Sequence, residues 1–175
     1  LLYQSIVSEF STVKVLCGCS VVDSINLWSH YANDHKGVAL KFKTIDSPFV
    51  DMTKVLYSPR RPNLWPTPKD ILQTAFDYTT QDRVRNFIKE CLYTKSIDWD
   101  KENEVRMVHF IKNDQDFFDI KFKQKDLDAV YFGSRISHHD RRKIENLLQT
   151  LYPATTMYNV LKGKYNYALE VCPCN

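Results

Sequence analysis

Glycine is scarce in this chain of 175 residues. Four glycines are too few for most phosphate-cradling loops, and neither a P-loop nor a Gly-x-Gly-x-x-Gly pattern occurs. No run of about 18 apolar residues is present, so a membrane-spanning helix is not expected. No block of one charge sign stands out either: 24 Lys+Arg face 21 Asp+Glu, a formal net charge of +3 spread along the chain. That balance permits nucleic-acid binding without pointing to it. Serine and cysteine are absent from any Gly-x-Ser-x-Gly context, which leaves hydrolase triads without support. Cys17, Cys19, Cys91, Cys172 and Cys174 form an odd set that does not suit a closed disulfide framework, and they read as reduced thiols in a cytoplasmic protein. The opening Leu1-Leu2-Tyr3-Gln4 shows no charged-then-apolar leader pattern and reads as a trimmed start or the ordered part of something longer.

What is present is enough for a core. Hydrophobic residues make up 43% and aromatics 13%, which excludes overall disorder. The length suits a single domain over residues 1–175. Val13 to Cys19 is rich in strand formers, and Asp23 or Ser24 can cap a helix carrying Leu27, Trp28 and Tyr31. Lys36-Gly37 supplies a stop, with Gly37 as the left-handed residue. Val38 to Phe42 and Val50 to Tyr57 read as strands, and the prolines at 59, 62, 66 and 68 mark a loop. Thr67-Pro68-Lys69-Asp70 opens a helical stretch running through Ile71, Leu72, Ala75 and Phe76 to Val84, Phe87, Ile88, Cys91 and Leu92, either broken near Thr79-Thr80 or in tandem.

After Trp99 the period changes to two. Val105, Met107, His109 and Ile111 alternate with Glu104, Arg106, Val108 and Phe110, a strand. Phe117 to Phe122 and Asp128 to Phe132 read as further strands. Ser137-His138-His139-Asp140 caps a helix with Ile144, Leu147, Leu148 and Leu151 on its buried side. Met157 to Leu161 and Tyr167 to Val171 close the chain as a hairpin. The expected class is α+β, with a mixed, largely antiparallel sheet and helices packed on it.

Three groups could carry chemistry. On the helix before Gly37, Trp28 and Tyr31 are either core aromatics or, for Tyr31, a stacking platform for a planar ligand with Ser20 hydrogen-bonding it; His30 projects away from them. Glu102, Glu104 and Arg106 fall on one side of a strand that begins by residue 102, either a cleft-facing carboxylate pair or a solvated pair with Arg106 as ion partner. Gly133-Ser134-Arg135, with the helix start that follows, is either an anion site or ordinary capping. Four thiols at 17, 19, 172 and 174 are the right number for structural zinc but are spaced too closely, so no metal is expected.

Cys19-Ser20, Leu27-Trp28-Ser29-His30-Tyr31-Ala32, His35-Lys36-Gly37-Val38, Trp99 with Glu102-x-Glu104-x-Arg106, and Val130-Tyr131-Phe132-Gly133 together resemble a bacterial domain-of-unknown-function family, number 2971. The resemblance runs from about residue 13 to the last hairpin, as the family's C-terminal portion or a shortened relative. The order of parts is also distantly similar to the ADP-ribosyltransferase fold. That similarity implies an NAD-using transferase of toxin or phage-defence type, acting on a protein or nucleic-acid acceptor, with no membrane partner. It implies catalytic Glu104, holding the ribose hydroxyl and steadying an oxocarbenium-like transition state, with Glu102 touching the acceptor. It implies a cofactor-binding set of Ser20, Trp28, His30, Tyr31 and Arg106. The alternative is a non-catalytic domain in which the Trp28-to-Tyr31 helix and Arg135 bind a nucleotide, phosphate or partner.

Overall fold

The structure is a computed structural model and describes residues 10–62, 80–111 and 117–174, with the backbone alone at 80–84. The chain divides into two compact units, one formed by Leu1–Gly18 and Thr53–Asp119, the other by Cys19–Met52 and Ile120–Asn175. Strands and helices occur in both, with mostly antiparallel pairing, so the α+β class holds.

In the first unit, β1 (Val13–Cys19), β6 (Glu104–Phe110) and β3 (Thr53–Lys54) form a three-stranded sheet with β6 in the middle. β4 (Leu56–Ser58) runs parallel to β5 (Thr94–Ser96), which follows helix α2 (Thr80–Tyr93). Ile88 of α2, Met107 of β6 and Val55 between β3 and β4 are buried. The helix start expected at Thr67 and its residues through Phe76 lie outside the described residues, as does the Val84 side chain. The strand expected over Val50 to Tyr57 is instead two short strands in different sheets. Phe49 explains the late start: it is buried against Phe42 and Phe122, and Ser47 Oγ accepts from its amide (3.1 Å), which holds residues 45–51 in turns.

In the second unit, a four-stranded sheet has the order β2 (Val38–Phe42), β7 (Leu127–Phe132), β8 (Thr156–Lys162), β9 (Leu169–Pro173). Only the central pair, β7 and β8, is parallel, because helix α3 (His138–Leu151) carries the chain back between them. Every residue of β7 but Asp128 is buried, as a strand covered on both faces requires. Ala129 and Tyr131 pack with Trp28 of α1 (Ile25–Tyr31), Val160 and Leu169. Val130 and Phe132 face the other way, against Leu148 of α3. Leu148 and half-buried Ile144 carry the packing face of α3, whereas Leu147 and Leu151 are exposed, so the buried stripe is narrower than the apolar pattern suggested. Residues 117–123 form no strand; Phe122 packs on Phe42 and Phe118 on His109, so their aromatics serve side-chain clusters rather than a ladder.

Helix starts follow the sequence closely. Ser24 caps α1 by accepting from Leu27 N, and Ser137 caps α3 by accepting from Asp140 N (3.0 Å) while donating to its carboxylate (2.7 Å). The stop after α1 differs from expectation. Gly37 is not left-handed; Asn33, Asp34 and His35 are, with φ of 48°, 54° and 63°. Asn and Asp tolerate that region better than other side chains, and the His35 amide donating to Trp28 O (3.1 Å) fixes the third residue there. Gly37 instead permits close approach, its missing Cβ lying 3.1 Å from Ala32 O.

Candidate functional site

Residues 94–106 of the first unit gather a closed ionic network. Asn103, left-handed at φ 46°, turns the chain out of a 3-10 turn (Ile97–Glu102) into β6. Glu102 therefore does not lie on the strand, as the alternating pattern had it, yet both it and Glu104 reach Lys95 on β5. Lys95 Nζ lies 2.8 Å from Glu104 Oε2 and also pairs with Glu102 Oε2. Arg106 grips Glu104 with two nitrogens, Nε to Oε1 at 2.6 Å and NH2 to Oε2 at 3.0 Å, and its NH1 donates to Leu92 O at the end of α2. The Glu104 amide donates to the Tyr57 hydroxyl (2.8 Å), and Trp99 lies 5.4 Å under Lys95 Nζ.

The electrostatics follow from that geometry. Burial pushes the Glu104 carboxyl up, but hydrogen bonds from Arg106, Lys95 and Cys17 outweigh it and hold the pKa at about 2. For Lys95, burial acts downward and is overcome by Glu102 and Glu104, so the ammonium is held above its ordinary range. Burial and then the Glu104 carboxylate push the Cys17 thiol up, away from the reactive thiolate. The Glu104 side chain is 9% exposed and both its oxygens are engaged. Charged at neutral pH, enclosed and matched by two cations, it ties α2, β5 and β6 together.

The second unit holds Ser20, Trp28, His30 and Tyr31. Trp28 is in the core at 3% exposure, its indole N–H donating to Val22 O (2.6 Å). Tyr31 is 71% exposed at the last turn of α1, with the His30 ring edge-on at 6.5 Å, and Ser20 is exposed just after β1. The left-handed turn that follows packs on the turn after β7. Gly133 N donates to Gly37 O (3.0 Å) and Arg135 N to His35 O (2.9 Å), while Arg135 and Asp34 form an ion pair. A Cβ on Gly133 would come 2.2 Å from His35 O, so only glycine lets the two turns meet. His35 is 5% exposed, stacked on Trp28 with centroids 6.4 Å apart and bonded through Nε2 to Ser29 Oγ (3.2 Å). Its Nδ1, and the Oγ of Ser134, are buried without a hydrogen-bond partner.

The sequence pattern singled out Glu102, Glu104 and Arg106 but not Lys95, the cation between the two carboxylates; an isolated lysine in a polar stretch gives no signal for such a role. No group of His, Cys, Asp and Glu disposed to hold a metal ion occurs among the described residues. Of the paired thiols, Cys17 joins the Glu104 network and Cys174 accepts from Arg141 NH2 at 3.2 Å. No described helix is long and apolar enough to cross a membrane.

The fold is therefore α+β, with an ionic network in one unit and a pair of locked turns in the other. A model of the family described as protein of unknown function (DUF2971) matches residues 27–107, and over that stretch the chain is similar to this family. The matched residues take in Trp28 to Tyr31, His35 to Val38 and Glu102 to Arg106, but end short of Val130 to Gly133. No curated protein and no solved structure matches the chain.

Proposed function

We propose that this chain is a non-catalytic binding domain for a phosphate-bearing ligand of the nucleotide class, taken up where the turn after α1 meets the turn after β7. The observation that carries the reading is that two of the three buried side-chain polar atoms without partners among the described residues, His35 Nδ1 and Ser134 Oγ, lie on these two turns; the third, His109 Nε2, is in the first unit. Leaving such atoms unsatisfied costs about 1–3 kcal/mol each, so a site that keeps them is one a polar ligand can complete. Arg135 on the same turn supplies a cation, and exposed Tyr31 at the end of α1 supplies a flat ring. An imidazole and a hydroxyl donate to phosphate oxygens, a guanidinium balances their charge, and an aromatic ring stacks on a base.

ADP-ribosyl transfer is the second reading. It is favoured by Glu104, an ionised carboxylate at the start of β6 two residues after a second carboxylate. In that reaction Glu104 would accept from a ribose hydroxyl of NAD and stabilise positive charge developing on the sugar. Lys95 and Arg106 weigh against it, because both would have to release the carboxylate first.

Thermal denaturation of the full chain with inorganic phosphate, ADP or NAD, beside an assay of NAD consumption, separates the readings. Ligand at a hundredfold excess over its dissociation constant adds about 2.7 kcal/mol, which raises Tm by roughly 5–10 °C in a chain of this size. Ser134→Ala and Arg135→Ala should abolish that rise while NAD stays intact. No shift with any of the three ligands overturns the phosphate reading. NAD consumption that disappears in Glu104→Gln, but not in Ser134→Ala, would replace it with transfer.

A further inference from the structure

We infer that the β8–β9 hairpin is a stacking platform for single-stranded nucleic acid. β8 pairs with β7 only as far as Asn159, opposite Phe132. Val160, Leu161 and Lys162 continue beyond that register paired with β9 alone, so a two-stranded ribbon runs about 10 Å past the end of β7. Its tip is Lys162-Gly163-Lys164-Tyr165-Asn166-Tyr167-Ala168, two lysines and two tyrosines without an acid among them.

The tip is a built turn. Gly163 N donates to Ala168 O (2.8 Å) and Ala168 N donates to Asn166 Oδ1 (3.2 Å), so the asparagine side chain turns inward and closes the loop. A Cβ at Gly163 would lie 2.2 Å from that same oxygen, so a side chain there would displace the Asn166 amide. The flanking rings are left in solvent: Tyr165 is 89% and Tyr167 100% exposed, and Lys164 Nζ lies 5.2 Å over the Tyr165 ring. Isolated exposed apolar residues need no explanation, but two fully exposed tyrosines beside two lysines on one hydrogen-bonded turn present flat rings and positive charge together.

Charge decides what that ligand is. Phosphodiesters neutralise the lysines, and bases stack on the rings whatever their sequence. A duplex keeps its bases stacked on one another and offers flat rings nothing to cover, so the surface selects single strands. β7 finishes and β2 begins at the end from which the ribbon extends, and exposed Lys36 lies two residues before β2. This inference does not rest on His35 or Ser134, and the two proposals fail separately.

Fluorescence anisotropy with labelled poly-uridylate and poly-thymidylate strands, and with a duplex of equal length, tests it on the full chain. Single strands should bind at low salt and the duplex at least tenfold more weakly. Tyr165→Ala with Tyr167→Ala should weaken strand binding about tenfold or more, and Tyr→Phe at both positions should restore it. Lys162→Ala with Lys164→Ala should reduce the slope of log K against log salt by roughly 0.7 per lost contact. The tyrosine pair should leave any ADP-induced rise in Tm unchanged, and an unchanged circular dichroism spectrum shows that the variant is folded. The inference is overturned by absence of strand binding, by equal affinity for duplex, or by a tyrosine pair that changes nothing. Binding to phosphatidylserine vesicles with none to either strand would overturn it in favour of a lipid surface.

Discussion

Replacing Glu104 with Gln separates a structural carboxylate from a reactive one. In the folded chain its pKa is about 2 against an ordinary 4.5, a difference worth about 3 kcal/mol at about 1.36 kcal/mol per unit. Because the folded value is the lower one, this stability is complete above about pH 5.5 and disappears as the pH falls through 4.5 towards 2. Glu104→Gln keeps the shape but removes the charge, leaving Lys95 to Glu102 and Arg106 to the Leu92 carbonyl. At neutral pH we expect a loss of about 3 kcal/mol, in the range for breaking a buried pair, and a Tm lower by roughly 6–12 °C. Near pH 2 the wild-type chain and the variant should differ by less than about 0.5 kcal/mol. Thermal melts by circular dichroism from pH 2 to 7 read the difference directly. An equal gap at both ends of that range, or one below about 0.5 kcal/mol at pH 7, would refute the reasoning, since the network would then stabilise nothing through charge.

Two further substitutions test the second unit. Gly133→Ala drives a methyl group into the His35 carbonyl, and backbone on both sides cannot yield; a loss of about 3 kcal/mol in urea denaturation is expected, and a loss under 1 kcal/mol would mean the turns are not locked. Ser137→Ala removes the cap of α3 and should cost about 1 kcal/mol in the same assay, with Ser137→Asp recovering most of it and Ser137→Val recovering none.

Local chemistry was legible in the sequence wherever neighbours in the chain decide it. The bounds of β1 and β2, a cap at Asp23 or Ser24 (Ser24 in the structure), the cap Ser137, and the pairing of the last two strands follow from short-range patterns of strand formers, hydroxyls and turn residues. Legibility ended where distant side chains decide. Phe122 looks like a strand residue by composition, but it packs on Phe42, which also holds Phe49 just before the expected strand at Val50. Gly37 resembles an ordinary helix stop, but Asn33, Asp34 and His35 take the left-handed turn and the glycine answers a steric demand of the Ala32 backbone. The same holds at the candidate sites. The spacing of Glu102, Glu104 and Arg106 showed a charged cluster, while its state depended on Lys95, which β5 and the 3-10 turn bring in. Trp28 and Tyr31 share a helix, and only packing distinguishes the ring in the core from the ring in solvent.

The sheet of the second unit has a history written into its connectivity. Its first strand, β2, bonds to β7, and more than eighty residues separate Phe42 from Leu127. On a ribosome adding ~5–20 residues per second, β2 waits roughly four to seventeen seconds before β7 is made. During that interval an apolar strand stands with nothing beside it, the condition under which nascent chains associate with one another. Vectorial synthesis thus makes the intervening segment a delay as well as a unit, and slower elongation across it prolongs the hazard.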